Sequence, residues 1–145
     1  MEQRLSLITL GVSDLAGTAR FYESVLGWKK AESPEGVAFF QLNGVILGLF
    51  PHTELAKDMK MPADNPGRYR GFALALNLRS KDEVDRLFAE LKDKGVGIIK
   101  APEEVFWGGY SGYFADLEGN HWEVAFNPFW SIGADGSMSL VPPGK

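Results

Sequence analysis

At 145 residues, 45% hydrophobic and 23% charged, the chain has the composition of an ordinary globular domain and enough length to bury a core. It has no cysteine, which excludes a disulfide scaffold, a thiolate metal centre and a cysteine nucleophile, and suits a reducing cytosol. A net charge of −4 without a Lys or Arg block speaks against nucleic-acid or anionic-membrane partners, and no apolar run reaches membrane-spanning length, so a soluble cytoplasmic protein is expected.

Leu5 to Val12 reads as a strand, and Ser13 or Asp14 as the N-cap of a helix in which Leu15, Ala19, Tyr22 and Leu26 recur at helical spacing up to Gly27. Val37–Leu42 and Val45–Phe50 flank Asn43-Gly44, which predicts a hairpin with a type I′ turn. The stretch 52–69, with Pro51 at its edge and Pro62 and Pro66 inside it, reads as a linker, and His52 within it receives no role. The pattern then repeats. Phe72–Leu78 is a strand, Ser80-Lys81-Asp82-Glu83 a capping box, and Val84, Leu87, Phe88 and Leu91 mark one helix face that ends at Gly95. Gly97–Ala101, Tyr110–Ala115 and His121–Phe126 are strands, the last two joined by Asp116-Leu117-Glu118-Gly119-Asn120. The glycine- and proline-containing stretch 129–145 reads as an irregular tail.

Each half is therefore a β-α-β-β-β module, and the expected class is α+β: module one over 4–51, linker 52–69, module two over 70–128, then the tail. Strand alternation places Leu7, Thr9 and Gly11 on one face, with Leu10 and Val12 under the first helix. It likewise sets Gly71, Ala73, Ala75 and Asn77 opposite Phe72, Leu74 and Leu76, the last three being expected in the core together with Phe114 and Trp122. Pairing across the five-residue loop sets Tyr113 beside Glu123. Glu123 is the candidate catalytic or ligand-contacting carboxylate. The aromatic and glycine-rich run 106–114 adds Trp107, Ser111 and Tyr113, while His121 shares the Glu123 face and Thr9 the corresponding face of the first strand. Gly109-Tyr110-Ser111-Gly112 is one residue short of a nucleophile elbow, and Gly95-Val96-Gly97 does not complete a phosphate loop.

Two such modules, with Val12-Ser13-Asp14-Leu15, Phe21-Tyr22, Leu26-Gly27-Trp28 and the phrase Asp116-Leu117-Glu118-Gly119-Asn120-His121-Trp122-Glu123, resemble the vicinal oxygen chelate superfamily of glyoxalases, bleomycin-resistance proteins and extradiol dioxygenases. The resemblance implies an open curved sheet in each module around one cavity, and commonly a homodimer. It also implies a divalent metal held from four strand positions. Here those positions fall at Leu7, Gly48, Gly71 or Phe72, and Glu123, of which only Glu123 is a ligand type; even with His121 the count reaches two, so no metal or other cofactor is expected. The resulting reading is a homodimeric binder of a small organic molecule. The alternatives are a metal-dependent glyoxalase-like lyase or isomerase, and a metal-free acid–base enzyme using Glu123 with Tyr113 or His121.

Overall fold

A computed structural model describes residues 6–58, 60, 62–63, 70, 72–106 and 108–140. The chain divides into two compact units, Met1–Arg68 and Tyr69–Lys145.

The first unit contains β1 (Leu7–Val12), α1 (Leu15–Ser24), β2 (Ala38–Gln41), β3 (Ile46–Pro51) and α2 (His52–Asp58). Its sheet has the order β1-β3-β2, with β1 parallel to β3 and β2 antiparallel to it. An isolated bridge between Lys30 and Phe40 stands where a fourth strand would lie. The helix α1 starts where Asp14 Oδ1 accepts from the Gly17 amide at 2.8 Å, satisfying an otherwise orphaned donor. One face buries Leu10, Val12, Ala38, Phe40, Leu47 and Leu49 with Ala19 and Tyr22 of α1. The Tyr22 ring lies 5.3 Å from Trp28 and 5.5 Å from Phe40, so three aromatic rings share this core.

The second unit runs β4 (Leu74–Leu78), α3 (Lys81–Asp93), β5 (Ile98–Glu104), β6 (Tyr110–Ala115) and β7 (His121–Phe126), followed by β8 (Ser131–Ile132) and β9 (Met138–Ser139). The larger sheet has the order β4-β7-β6-β5, with β4 parallel to β7. Ser80 caps α3 by accepting from the Glu83 amide at 3.2 Å. The return bond of the expected capping box goes one residue further back, where the Arg79 amide donates to the Glu83 carboxylate at 2.8 Å. Val84, Phe88 and Leu91 of α3 are buried, as are Phe114, Trp122 and Val124 of the sheet, and the Phe114 and Trp122 rings stack at 6.2 Å. Gly112 belongs to this contact for lack of a side chain: a Cβ there would lie 2.6 Å from Phe88 and 2.8 Å from the Lys100 carbonyl oxygen.

The α+β class and the repeated module are as read from the sequence, and four local expectations are corrected. Asn43 is not among the positive-φ residues, whereas Gly44 has φ 79°, so the first hairpin has the sign pattern of a type II turn and not of type I′. The supposed linker opens with α2, which packs against β1 and β3. It comes so close that a Cβ on Gly11 would sit 2.9 Å from His52 Nδ1. Phe72 and Leu76, expected in the core, are 45% and 41% exposed, because β4 is an edge strand and α3 lies mainly over β5 and β7. Within the tail, β8 and β9 pair as a short hairpin, and the Arg79 guanidinium donates to the Ile132 carbonyl at 2.7 Å and to that of Gly133 at 2.6 Å.

Candidate functional site on the second sheet

Directly paired residues in a sheet share a face, so the register defines the surface turned away from α3. Across it run Ala75, Glu123, Tyr113 and Lys100 in one row, and Asn77, Ala125, Ser111 and Glu103 in the next. His121 lies opposite Ala115 at the start of β7. The structure thus brings together four sequence-predicted residues, Ser111, Tyr113, His121 and Glu123. Thr9 lies in the first unit, on β1 opposite Gly48. Trp107 and Gly71 fall outside the described residues.

At the centre Tyr113 lies directly opposite Glu123 in the register of β6 and β7, so the phenol and the carboxylate are cross-strand neighbours. Burial, followed by the negative charge of the neighbouring Glu123 carboxylate, pushes the Tyr113 phenol above its ordinary value of 10.0. Tyr113 is therefore a neutral donor over the physiological range, and Glu123 has acceptor positions left for another donor. Small side chains frame the pair: Ala75 and Ala125 on the flanking positions, and Ser111, only 2% exposed. On the far side Lys100 forms a 3.1 Å ion pair with Glu103, a partly exposed contact of the kind that contributes little to stability.

The loop before β7 is fixed by a side-chain network of its own. Asp116 Oδ1 accepts from the amides of Asn120 at 2.8 Å and Glu118 at 3.0 Å, while its Oδ2 accepts from the Asn120 side chain at 2.8 Å. Arg70 completes the network by donating to Asn120 Oδ1 at 2.7 Å and to the Glu118 carbonyl at 3.0 Å. Gly119 supplies the positive φ, 77°, that closes the turn. Asp116, Gly119 and Asn120 of the signature phrase thus build the loop, and Glu123 takes no part in that network.

The four strand positions at which relatives hold a metal do not fit one here. Leu7 and Phe72 offer only hydrocarbon, and Gly48 has no side chain. A Cβ on Gly48 would meet Phe39 at 3.2 Å and Leu7 at 3.5 Å, so its surroundings are apolar as well. Glu123 is the single donor of the set, and among the described residues no three His, Asp or Glu side chains cluster as a metal site would require.

Asn77 lies on the face where strand alternation set it, whereas sequence reasoning missed Lys100 and Arg70 as neighbours of this surface. Irregularities in β5 between Ile98 and Lys100 and between Lys100 and Glu103 defeat the strict alternation that would have placed Lys100. Arg70 had no signal, since its bonds reach across about fifty residues of sequence.

The family model of the Glyoxalase/Bleomycin resistance protein/Dioxygenase superfamily matches residues 4–124. The chain belongs to this superfamily. Among its members, the metallothiol transferase FosB of Lysinibacillus sphaericus (strain C3-41) is 29% identical over 121 residues, spanning 83% of this chain and 80% of that protein. A crystal structure described as a glyoxalase-related enzyme from Fulvimarina pelagi is 37% identical with a TM-score of 0.86, covering 97% of this chain and 99% of the other. A superfamily member from Nocardioides is 26% identical with a TM-score of 0.77, covering 87% and 84% of the two chains. No helix among the described residues is long and apolar enough to cross a membrane.

Proposed function

We propose that this superfamily member binds a small organic molecule without an obligatory metal, and that Glu123 with Tyr113 is the polar anchor. The observation that supports this most is a carboxylate in the middle of a strand, set opposite a phenol and framed by alanines and a serine. Such a surface suits a neutral or cationic ligand that donates hydrogen bonds. Ser111 and His121 would border the ligand. The protein would work as a cytoplasmic homodimer. The test is a screen of small cationic and hydrogen-bond-donating aromatic compounds for thermal stabilisation, repeated with Glu123→Gln. Saturating ligand at about a hundred times its Kd should add roughly 2.7 kcal/mol of stability. The gain should largely vanish in the variant, and an equal gain in both would remove Glu123 from the site.

Two enzymatic readings compete. Similarity to a protein named as a metallothiol transferase favours a metal-dependent transferase, with a glyoxalase-like lyase or isomerase as its relative within the superfamily. The cross-strand placement of Tyr113 beside Glu123 favours a metal-free acid–base enzyme, in which Glu123 takes a proton from substrate and Tyr113 orients the carboxylate. Turnover lost in Glu123→Gln and retained after chelation would select the second of these.

A further inference from the structure

We propose a second binding site in the second unit, built by the C-terminal hairpin and selective for a small aromatic carboxylate. A pocket of about 300 Å³ lies where β8 and β9 meet the ends of β4 and β7, with Asn77, Arg79, Phe126, Trp130, Ile132 and Met138 in its lining. That volume is at the small end of ligand pockets. Phe126, Trp130, Ile132 and Met138 offer one aromatic-rich apolar wall, and Trp130 remains 40% exposed.

The polar groups give the pocket its sign. Of the five N–H donors of a guanidinium, Arg79 uses two on the carbonyls of Ile132 and Gly133, which anchors the hairpin and fixes the plane of the remaining donors. No carboxylate among the described residues pairs with this guanidinium; the Glu83 carboxylate accepts from the Arg79 backbone amide instead. The Asn77 amide also lines the pocket and makes no hydrogen bond among the described residues. An unpaired planar cation, a spare amide donor and an indole wall together match a carboxylate carried on a flat ring. This preference is opposite to that of the Glu123 surface, whose own carboxylate repels anions. The second site therefore does not depend on the function proposed for the first.

The probe is benzoate, followed by quenching of tryptophan fluorescence and by calorimetry, with benzamide as the neutral isostere. Benzoate should bind saturably to the wild type and at least about tenfold more tightly than benzamide, as a charge-assisted contact requires. Arg79→Gln should lower benzoate affinity about tenfold or more. Because that change also releases the hairpin, Trp130→Leu is the second variant: it keeps both Arg79 bonds and should still weaken benzoate binding by about tenfold. No saturable binding to the wild type, benzamide bound as tightly as benzoate, or an affinity unchanged in Trp130→Leu would each overturn the proposal.

Discussion

The two units repeat one module yet differ on the sheet face turned away from the first long helix of each. In the first unit that face presents Leu7, Thr9, Gly11, Phe39, Gln41, Ile46, Gly48 and Phe50, an uncharged and mainly apolar surface whose one end is approached by His52 and Leu55 of α2. In the second it carries Glu123, Tyr113, Lys100, Asn77 and Ser111. The helix-covered faces are alike, with Leu10, Val12, Leu47 and Leu49 in one unit answered by Phe114, Trp122 and Val124 in the other. Burying that face stabilises each module by roughly 1.5–3 kcal/mol per large apolar side chain, so its composition is constrained twice over. The opposite face carries no such requirement. The polar chemistry is concentrated there, in the second unit.

The contrast can be broken at several points. The largest effect is expected at the loops. Asp116→Ala removes three hydrogen bonds from a buried network and should destabilise the protein by about 3 kcal/mol, whereas Asn43→Ala in the exposed turn of the first unit should cost about 0.5 kcal/mol. Denaturant melts of the pair read the difference directly. Next come the two sheet glycines. Gly112→Ala drives a methyl against backbone atoms as well as Phe88 and should cost about 2 kcal/mol, while at Gly48 the Phe39 ring can tilt aside and the cost should be nearer about 1 kcal/mol. The caps should behave alike, since both units begin their long helix by the same device: Asp14→Ala and Ser80→Ala should each lose about 1 kcal/mol.

The smallest effect on stability, about 0.5 kcal/mol or less, is expected for Glu123→Gln, whose signature lies in titration. With the carboxylate charge gone, an ultraviolet titration should show the Tyr113 phenol ionising at lower pH than in the wild type. A phenol whose folded value is raised above 10.0 contributes stability that is present below pH 10 and lost as pH climbs through the folded value. The wild type should therefore weaken above pH 10 by more than Glu123→Gln does. Equal alkaline profiles would show that the two side chains are not coupled.

How far these features could be read from the sequence depended on how local their causes are. Asp14, Ser80, Gly27 and Gly95 act within one helical turn, and the ends of α1 and α3 follow from them. The Tyr113–Glu123 pairing was legible because one loop length fixes the register on both sides. The exposure of Leu76 was not, since alternation distinguishes the faces of a strand but not whether a helix reaches the edge of the sheet. The hairpin of the tail was equally hidden. It is tied down by Arg79, about fifty residues earlier in the chain, and nothing in the spacing of either segment announces that bond.

Metal-free ligand binding at the Glu123 surface is tested by elemental mass spectrometry on freshly purified protein never exposed to a chelator. Divalent metal should lie far below one ion per chain, and ligand-induced stabilisation should be undiminished by added chelator. A near-stoichiometric divalent ion that is lost in Glu123→Gln would contradict metal-free binding and would make the metal-dependent transferase or lyase the better reading.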